Sequence, residues 1–424
     1  MKLSHIFAFL AAFALHGSAD AQSWNLTTLY SFQGGTDGHS PNSLMLAAGG
    51  SLYGTTSTAI TLHCSTCGTV FQLTPPSGGG TAWAHTTLFG FPDEATDGET
   101  PTAVIMGPAG TLFGAAAEGG PSTCSGYGCG TVFELTPGAG GWTDTVLLDF
   151  GGSKGQMPTG ALLLGPNGAL YGTASQLAYE LRPPSSGSGA WTEHQLYSFT
   201  GATGDAYSPQ SGFVAGPGPV LYGQSVGGGA SNLGTVYQLT PPAVQGGAWT
   251  ENVLYSFQGG TDGSVPVGPL VRSSTGVLYG TTSTGGSPSC FQHLPQPGCG
   301  TVFQLTPPAG SGGTWTETVL YSFTDGTDGG YPSAGVVLGA NGVLYGTTTF
   351  GGTGSCEESC GTVFQLTPPA LAGGTWTETV LYSFPVGSAG SSADAIVIPG
   401  PAGALYGVAG GGAHGAGQVF ELTP

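Results

Sequence analysis

Apolar and polar residues alternate in short runs along most of this chain, and the same runs return again and again. Residues 316–323 are representative: Glu317, Val319, Tyr321 and Phe323 fall on one face, Thr318, Leu320 and Ser322 on the other. That period of two predicts a strand. A second short strand is expected at 335–338, and Asn341-Gly342 predicts a tight hairpin turn, because both residues accept positive φ. A third strand follows at 343–348. A fourth, at 362–367, ends at Pro368-Pro369, which cannot join a hydrogen-bonded ladder. Beyond the N-terminal leader no segment holds a 3.6-residue period, so the chain reads as all-β.

Three independent markers count the copies. A Trp opens a strand-like run at Trp24, Trp83, Trp142, Trp191, Trp249, Trp315 and Trp376, which uses all 7 Trp of the chain. The run closes on Phe32, Phe91, Phe150, Phe199, Phe257, Phe323 and Phe384. A later run carries an aromatic before Gly, at Tyr53, Phe113, Tyr171, Tyr222, Tyr279, Tyr345 and Tyr406. A period of roughly 50 to 65 residues with four strands per unit predicts a seven-bladed β-propeller. A β-solenoid is the competing architecture, but its coils usually take about 20 to 30 residues. The ends sharpen the prediction: the Trp-strand at 24–32 is the missing outer partner of the final strand at 418–423. Their pairing closes the ring and removes an exposed edge. In this order the linker from outer to inner strand and the link between second and third strands share one face. The Asn-Gly turns and Pro-Pro linkers share the other.

Residues 1–21 stand outside this pattern. Lys2, the apolar run 6–15 and the small-x-small site Ala19-Asp20-Ala21 predict a cleaved secretory signal peptide, leaving 22–424 as a single propeller domain. The apolar run is too short for a membrane span, and no later one is longer. Gly at 81 and Pro at 31 sit at fixed repeat positions, so they act as turn residues. Charged residues make up 6% of the chain, and the formal net charge is −19. That balance argues against nucleic acid or an anionic membrane as partner.

The 8 Cys form four pairs in four equivalent loops: Cys64/Cys67, Cys124/Cys129, Cys290/Cys299 and Cys356/Cys360. In an exported chain this predicts local disulfides, each pinning its own loop by roughly 2 to 3 kcal/mol in the chain-entropy model. Two other readings stay open. Cys64-Ser-Thr-Cys67 has redox CxxC spacing without the strand-to-helix setting that activates such thiols, and zinc shared between neighbouring pairs would have to tolerate unequal spacings.

Asp37, Asp97, Asp205, Asp262 and Asp328 each precede a Pro by four residues, and in the third repeat Lys154 occupies that register. An Asp in Thr-Asp-Gly caps its own turn. The alternative is that these acids, with Lys154, contact a ligand or a cation at the channel mouth. No cofactor is expected, with calcium the one ion the acids leave open. No nucleophile elbow, P-loop or His-rich metal pattern is present, and no catalytic residue is assigned.

The repeated texts at 52–56, 278–282 and 344–348 (LYGTT) and at 68–75, 300–307 and 361–368 (GTVFQLTP) resemble the GloVer tandem-repeat proteins, exported bacterial proteins described as choice-of-anchor. The resemblance spans nearly the whole mature chain and implies a bacterial, secreted or cell-surface protein. It carries no catalytic residues to transfer. The third repeat departs from the pattern, since 176–182 drops the cysteine loop.

Two functions remain in view. The first is an extracellular binding or scaffold module, monomeric, that engages a polysaccharide, peptide or surface partner on the disulfide-loop face. The alternative is a secreted polysaccharide hydrolase or lyase using carboxylates at the channel mouth, which needs an acid pair about 5 to 9.5 Å apart.

Overall fold

The computed structural model describes residues 23–424 apart from 59–66, 78–81, 93–97, 122–123, 125–127, 152–154, 186–188, 245–246, 289, 291–296, 311, 354–360, 372 and 386–396. The expected signal peptide, Asp97, Lys154, Cys64, Cys356 and Cys360 therefore lie outside the described residues.

Seven antiparallel sheets form a ring, a seven-bladed β-propeller. The first blade shows the plan: His39–Leu46 innermost, then Leu52–Thr58, Thr69–Thr74 and Ala84–Gly90 at the rim. The fourth blade splits its inner strand into Ala206–Pro209 and Val214–Ala215. The sixth and seventh keep only Val337–Leu338 and Ile398–Pro399. Ring closure follows the predicted pairing. Asn25–Ser31 runs antiparallel to Gln418–Thr423, from Asn25 opposite Thr423 to Ser31 opposite Gln418. The first strand of the chain is thus the outer strand of the last blade, and no unpaired edge is left there.

The repeated aromatics explain why the text recurs. Phe71, Phe133, Phe303, Phe364 and Phe420 are fully buried. Each lies over the glycine of its own aromatic-Gly pair; at Gly280 a Cβ would come within 2.6 Å of the Phe303 ring. Between blades, each Trp packs against the aromatic of the preceding blade's aromatic-Gly pair. Trp191 meets Phe113 and Trp315 meets Tyr222, both edge-on at 5.7 Å. Edge-on contacts of this kind add to the area they bury. The aromatics are therefore blade-to-blade mortar.

The rim strands depart from simple alternation. In Thr316–Ser322 the register steps between Val302 and Phe303, whose partners are Tyr321 and Val319, so Leu320 sits in a β-bulge. The bulge turns Leu320 inward, to 7% exposure, although alternation places it with the outward Thr318. The same step recurs in every blade. The Asn-Gly turn forms as expected, with Asn341 at φ 57° and Gly342 at φ 79°.

Candidate functional site

Four of the outer-to-inner linkers carry a described aspartate to the same post. Asp328 accepts hydrogen bonds from the Tyr321 hydroxyl (3.0 Å), the Thr324 hydroxyl (2.6 Å) and the backbone N–H groups of Thr324 (2.9 Å) and Gly326 (3.2 Å). Asp262 accepts from Tyr255 and from Gln258 N, both at 2.6 Å. Asp37 accepts from Tyr30 at 2.9 Å and from the N–H groups of Gln33 and Gly35. Asp205 accepts from Tyr197 at 3.2 Å, from Thr200 N at 2.6 Å and from the Thr200 hydroxyl. The acid thus ties a linker to the rim strand it has just left. Gly329, at φ +90°, lies so close to the Thr348 hydroxyl that no side chain fits. The proline four residues on closes a neighbouring seam: a Cβ on Gly300 would lie 2.5 Å from Pro332.

These aspartates stand one to a blade and do not converge. Among the described residues no group of three or more His, Cys, Asp or Glu is placed to hold an ion.

Four of the seams contain a further acidic or basic group that the motif reading missed. The residue two after each Trp in the fourth to sixth blades is a glutamate, and it lies against the linker aspartate of its own blade. Glu251 accepts from Ala206 N at 3.2 Å, and burial, followed by the charge of Asp205, pushes its carboxyl up to about 7. Burial and then Asp262 push Glu317 up to about 7; burial and then Asp328 do the same for Glu378. One oxygen of Glu317 and one of Glu378 are buried without a partner. In the first blade the position is His85, stacked on Tyr30 at 4.3 Å; burial lowers its pKa against the opposing pull of Asp37. A signal was available in the sequence, since Trp+2 is titratable in six of the seven repeats (His85, Asp144, Glu193, Glu251, Glu317, Glu378).

On the same face, Cys124–Cys129 and Cys290–Cys299 pair within their own loops, with Cα separations of 4.9 and 5.1 Å. Cys67 is also disulfide-bonded. The third blade replaces the cysteine loop by a two-residue turn between Leu170–Ala174 and Leu177–Arg182.

The inner strands enclose a channel of about 600 Å³. Its wall combines apolar groups such as Leu44, Val104 and Phe213 with uncharged polar ones such as Gln210 and Ser333, and no described lining residue is charged. Polar groups in and beside the wall hold adjacent blades together. The channel-lining Asn42 donates to Pro101 O at 3.0 Å, and next to the wall Thr159 donates to Pro209 O at 2.9 Å and Thr281 to Ala334 O at 2.8 Å.

Solved structures share this fold at low identity. A catalytically inactive virginiamycin B lyase from Staphylococcus aureus, solved with quinupristin, matches with a TM-score of 0.52 at 13% identity, over 95% of this chain and 100% of that one. The extracellular domain of a protein assigned as a one-component system from B. thetaiotaomicron matches with a TM-score of 0.52 at 9% identity, over 94% of this chain and 40% of that one. Identities this low establish the architecture alone. No curated protein matches. The Gloeobacter/Verrucomicrobia repeat model matches residues 17–180, 125–310 and 292–424, which together take in almost the entire sequence and all seven blades. The chain belongs to the Gloeobacter/Verrucomicrobia repeat family.

Proposed function

We propose that this protein is an extracellular binding propeller that does no chemistry of its own, and that its channel takes an uncharged ligand with both apolar and hydroxyl-bearing faces, such as a saccharide. The observation that carries this reading is where the charge lies. The described linker aspartates are engaged by tyrosines and linker N–H groups, whereas the described channel wall is uncharged. A pocket of this size, apolar with a few polar groups, is the usual form of a small-ligand site. A two-carboxylate hydrolase would need its acids in the channel; the acid pairs instead lie in the seams between blades. The disulfide-pinned loops supply a variable face on a repeated frame, as binding loops do, and the ligand enters from that side. The disulfides themselves accord with an oxidising compartment.

A glycan array on the purified protein, followed by calorimetry on the best oligosaccharide, tests the proposal. Ala161 is exposed on the channel wall, so Ala161→Trp should block the channel and reduce binding at least tenfold with the ring intact. Undiminished binding in that variant, or release of reducing ends from the bound polysaccharide, would overturn the reading.

A further inference from the structure

The third blade carries, on the face opposite the disulfides, a pocket with a charge pattern of its own. Arg182 ends the strand Leu177–Arg182 at a position where the other repeats have Thr74, Thr136, Thr240, Thr306, Thr367 and Thr423. Its Nη2 donates to Glu180 Oε2 at 2.8 Å, the only ion pair among the described residues. Glu180 is 5% exposed, and its other oxygen accepts the Tyr171 hydroxyl at 3.0 Å. The carboxylate is therefore engaged on both oxygens and shielded from solvent. The Arg182 side chain, by contrast, is 54% exposed.

This arrangement orients a guanidinium from behind. Glu180 takes one N–H of Nη2, and the remaining N–H donors are left for a ligand. Arg182 lines an open cavity of about 560 Å³, together with Pro166, Asn167, Pro183, Pro184 and Ser185. The proline rings offer an apolar wall, and Asn167 and Ser185 offer polar groups. A sugar ring with hydroxyls around an apolar face meets both. With a formal charge of −19 on the whole chain, an arginine held facing open space is a rare point where an anionic group finds complementary charge. A planar carboxylate is the group its fork matches best.

We infer that the Arg182 pocket binds the carboxylate of an acidic saccharide, a uronate unit, on the face opposite the disulfide loops. The inference does not depend on the channel reading, and Ala161→Trp should leave it unchanged. Because Glu180 offsets part of the arginine's charge, the affinity for a single uronate is modest and falls as salt is raised.

The test titrates the full mature chain with sodium glucuronate, glucose and N-acetyl-diglycine, reading amide shifts and calorimetric heats. Glucuronate should shift the amides of Tyr171, Arg182 and Ser185, glucose should not, and N-acetyl-diglycine should bind more weakly. Arg182→Lys keeps a charge beside Glu180 but loses the planar fork, and should weaken glucuronate at least tenfold. Equal binding of glucose, tighter binding of N-acetyl-diglycine, no shifts at these amides, or wild-type affinity in Arg182→Lys overturns the inference. If the lysine variant proves unstable by melting, the shift map of the wild-type protein decides alone.

Discussion

Replacing the three seam glutamates by glutamine should change how the ring responds to pH. Glu251, Glu317 and Glu378 face Asp205, Asp262 and Asp328, and each has its carboxyl raised from an ordinary 4.5 to about 7. Nearby, Tyr197, Tyr255 and Tyr321 are pushed up by burial and by the same acids, so they stay neutral throughout. The sign follows from linkage. Between about pH 4.5 and 7 the folded seam holds a proton that the unfolded chain has released, so stability falls as pH rises through this window and levels off above it. In a dry site each glutamate would account for roughly 3 kcal/mol, at about 1.4 kcal/mol per pH unit of displacement. The seams are only about half shielded, so solvent screening leaves about 1 kcal/mol each, or about 3 kcal/mol for the three. Glutamine mimics the protonated acid. Glu251→Gln, Glu317→Gln and Glu378→Gln combined should therefore stabilise the ring by about that amount at pH 8 and change little at pH 4.5. His85 works in the opposite sense: held neutral by burial, it favours unfolding as pH drops below about 6.5, so it offsets part of the glutamates' slope in the wild type. The difference between wild type and triple variant removes that contribution. Urea unfolding followed by Trp fluorescence at pH 4.5, 6, 7 and 8 reads it directly, since the tryptophans sit in the seams. A difference independent of pH, or a triple variant less stable at pH 8, would refute the reasoning.

Other substitutions test the remaining parts of the account. Tyr179 and Tyr237 stand where the other blades have Phe, and their hydroxyls are buried without partners; Tyr237→Phe should raise stability by about 1 kcal/mol in urea unfolding, and a loss would mean the hydroxyl is satisfied in solution. Ala402 sits at φ 53°, ψ 23° in an exposed turn, so Ala402→Gly should gain about 0.5–1 kcal/mol by relieving a left-handed alanine. Asp328→Asn weakens a cap that four donors share and should cost about 1–3 kcal/mol. Ligand affinity unchanged in that variant, beside a lower melting temperature, would identify the acid as structural.

Much of the ring was legible in the sequence because the repeated residues do mechanical jobs that recur from blade to blade. The Trp packs on the neighbouring blade, the aromatic of the third strand covers the aromatic-Gly glycine, and the proline of the linker, where present, closes on a glycine of the adjoining blade. Positions so constrained repeat, and repetition can be counted. Ring closure was legible for the same reason, since the chain starts with the strand its last blade lacks. The seam glutamates were not, although the Trp+2 pattern was there to see. Their proximity to the linker aspartates arises only when the blade twist swings the start of a rim strand against that linker. The inward turn of Leu320 depends on a bulge that strict alternation does not anticipate. The channel wall was also hidden, because the inner strands are the least repetitive and run as short as Val337–Leu338. Arg182 stood out only once Glu180 and Tyr171 were seen beneath it.

The central claim is that the uncharged channel, and not the ring of linker aspartates, is where the main ligand binds. A crystal soaked with the tightest oligosaccharide from the glycan array tests it most directly. The account predicts sugar density inside the ring, against Gln210 and Ser333, with the Tyr321–Asp328 hydrogen bond undisturbed. Sugar coordinated instead by Asp262 or Asp328, with those tyrosine contacts broken, would contradict it.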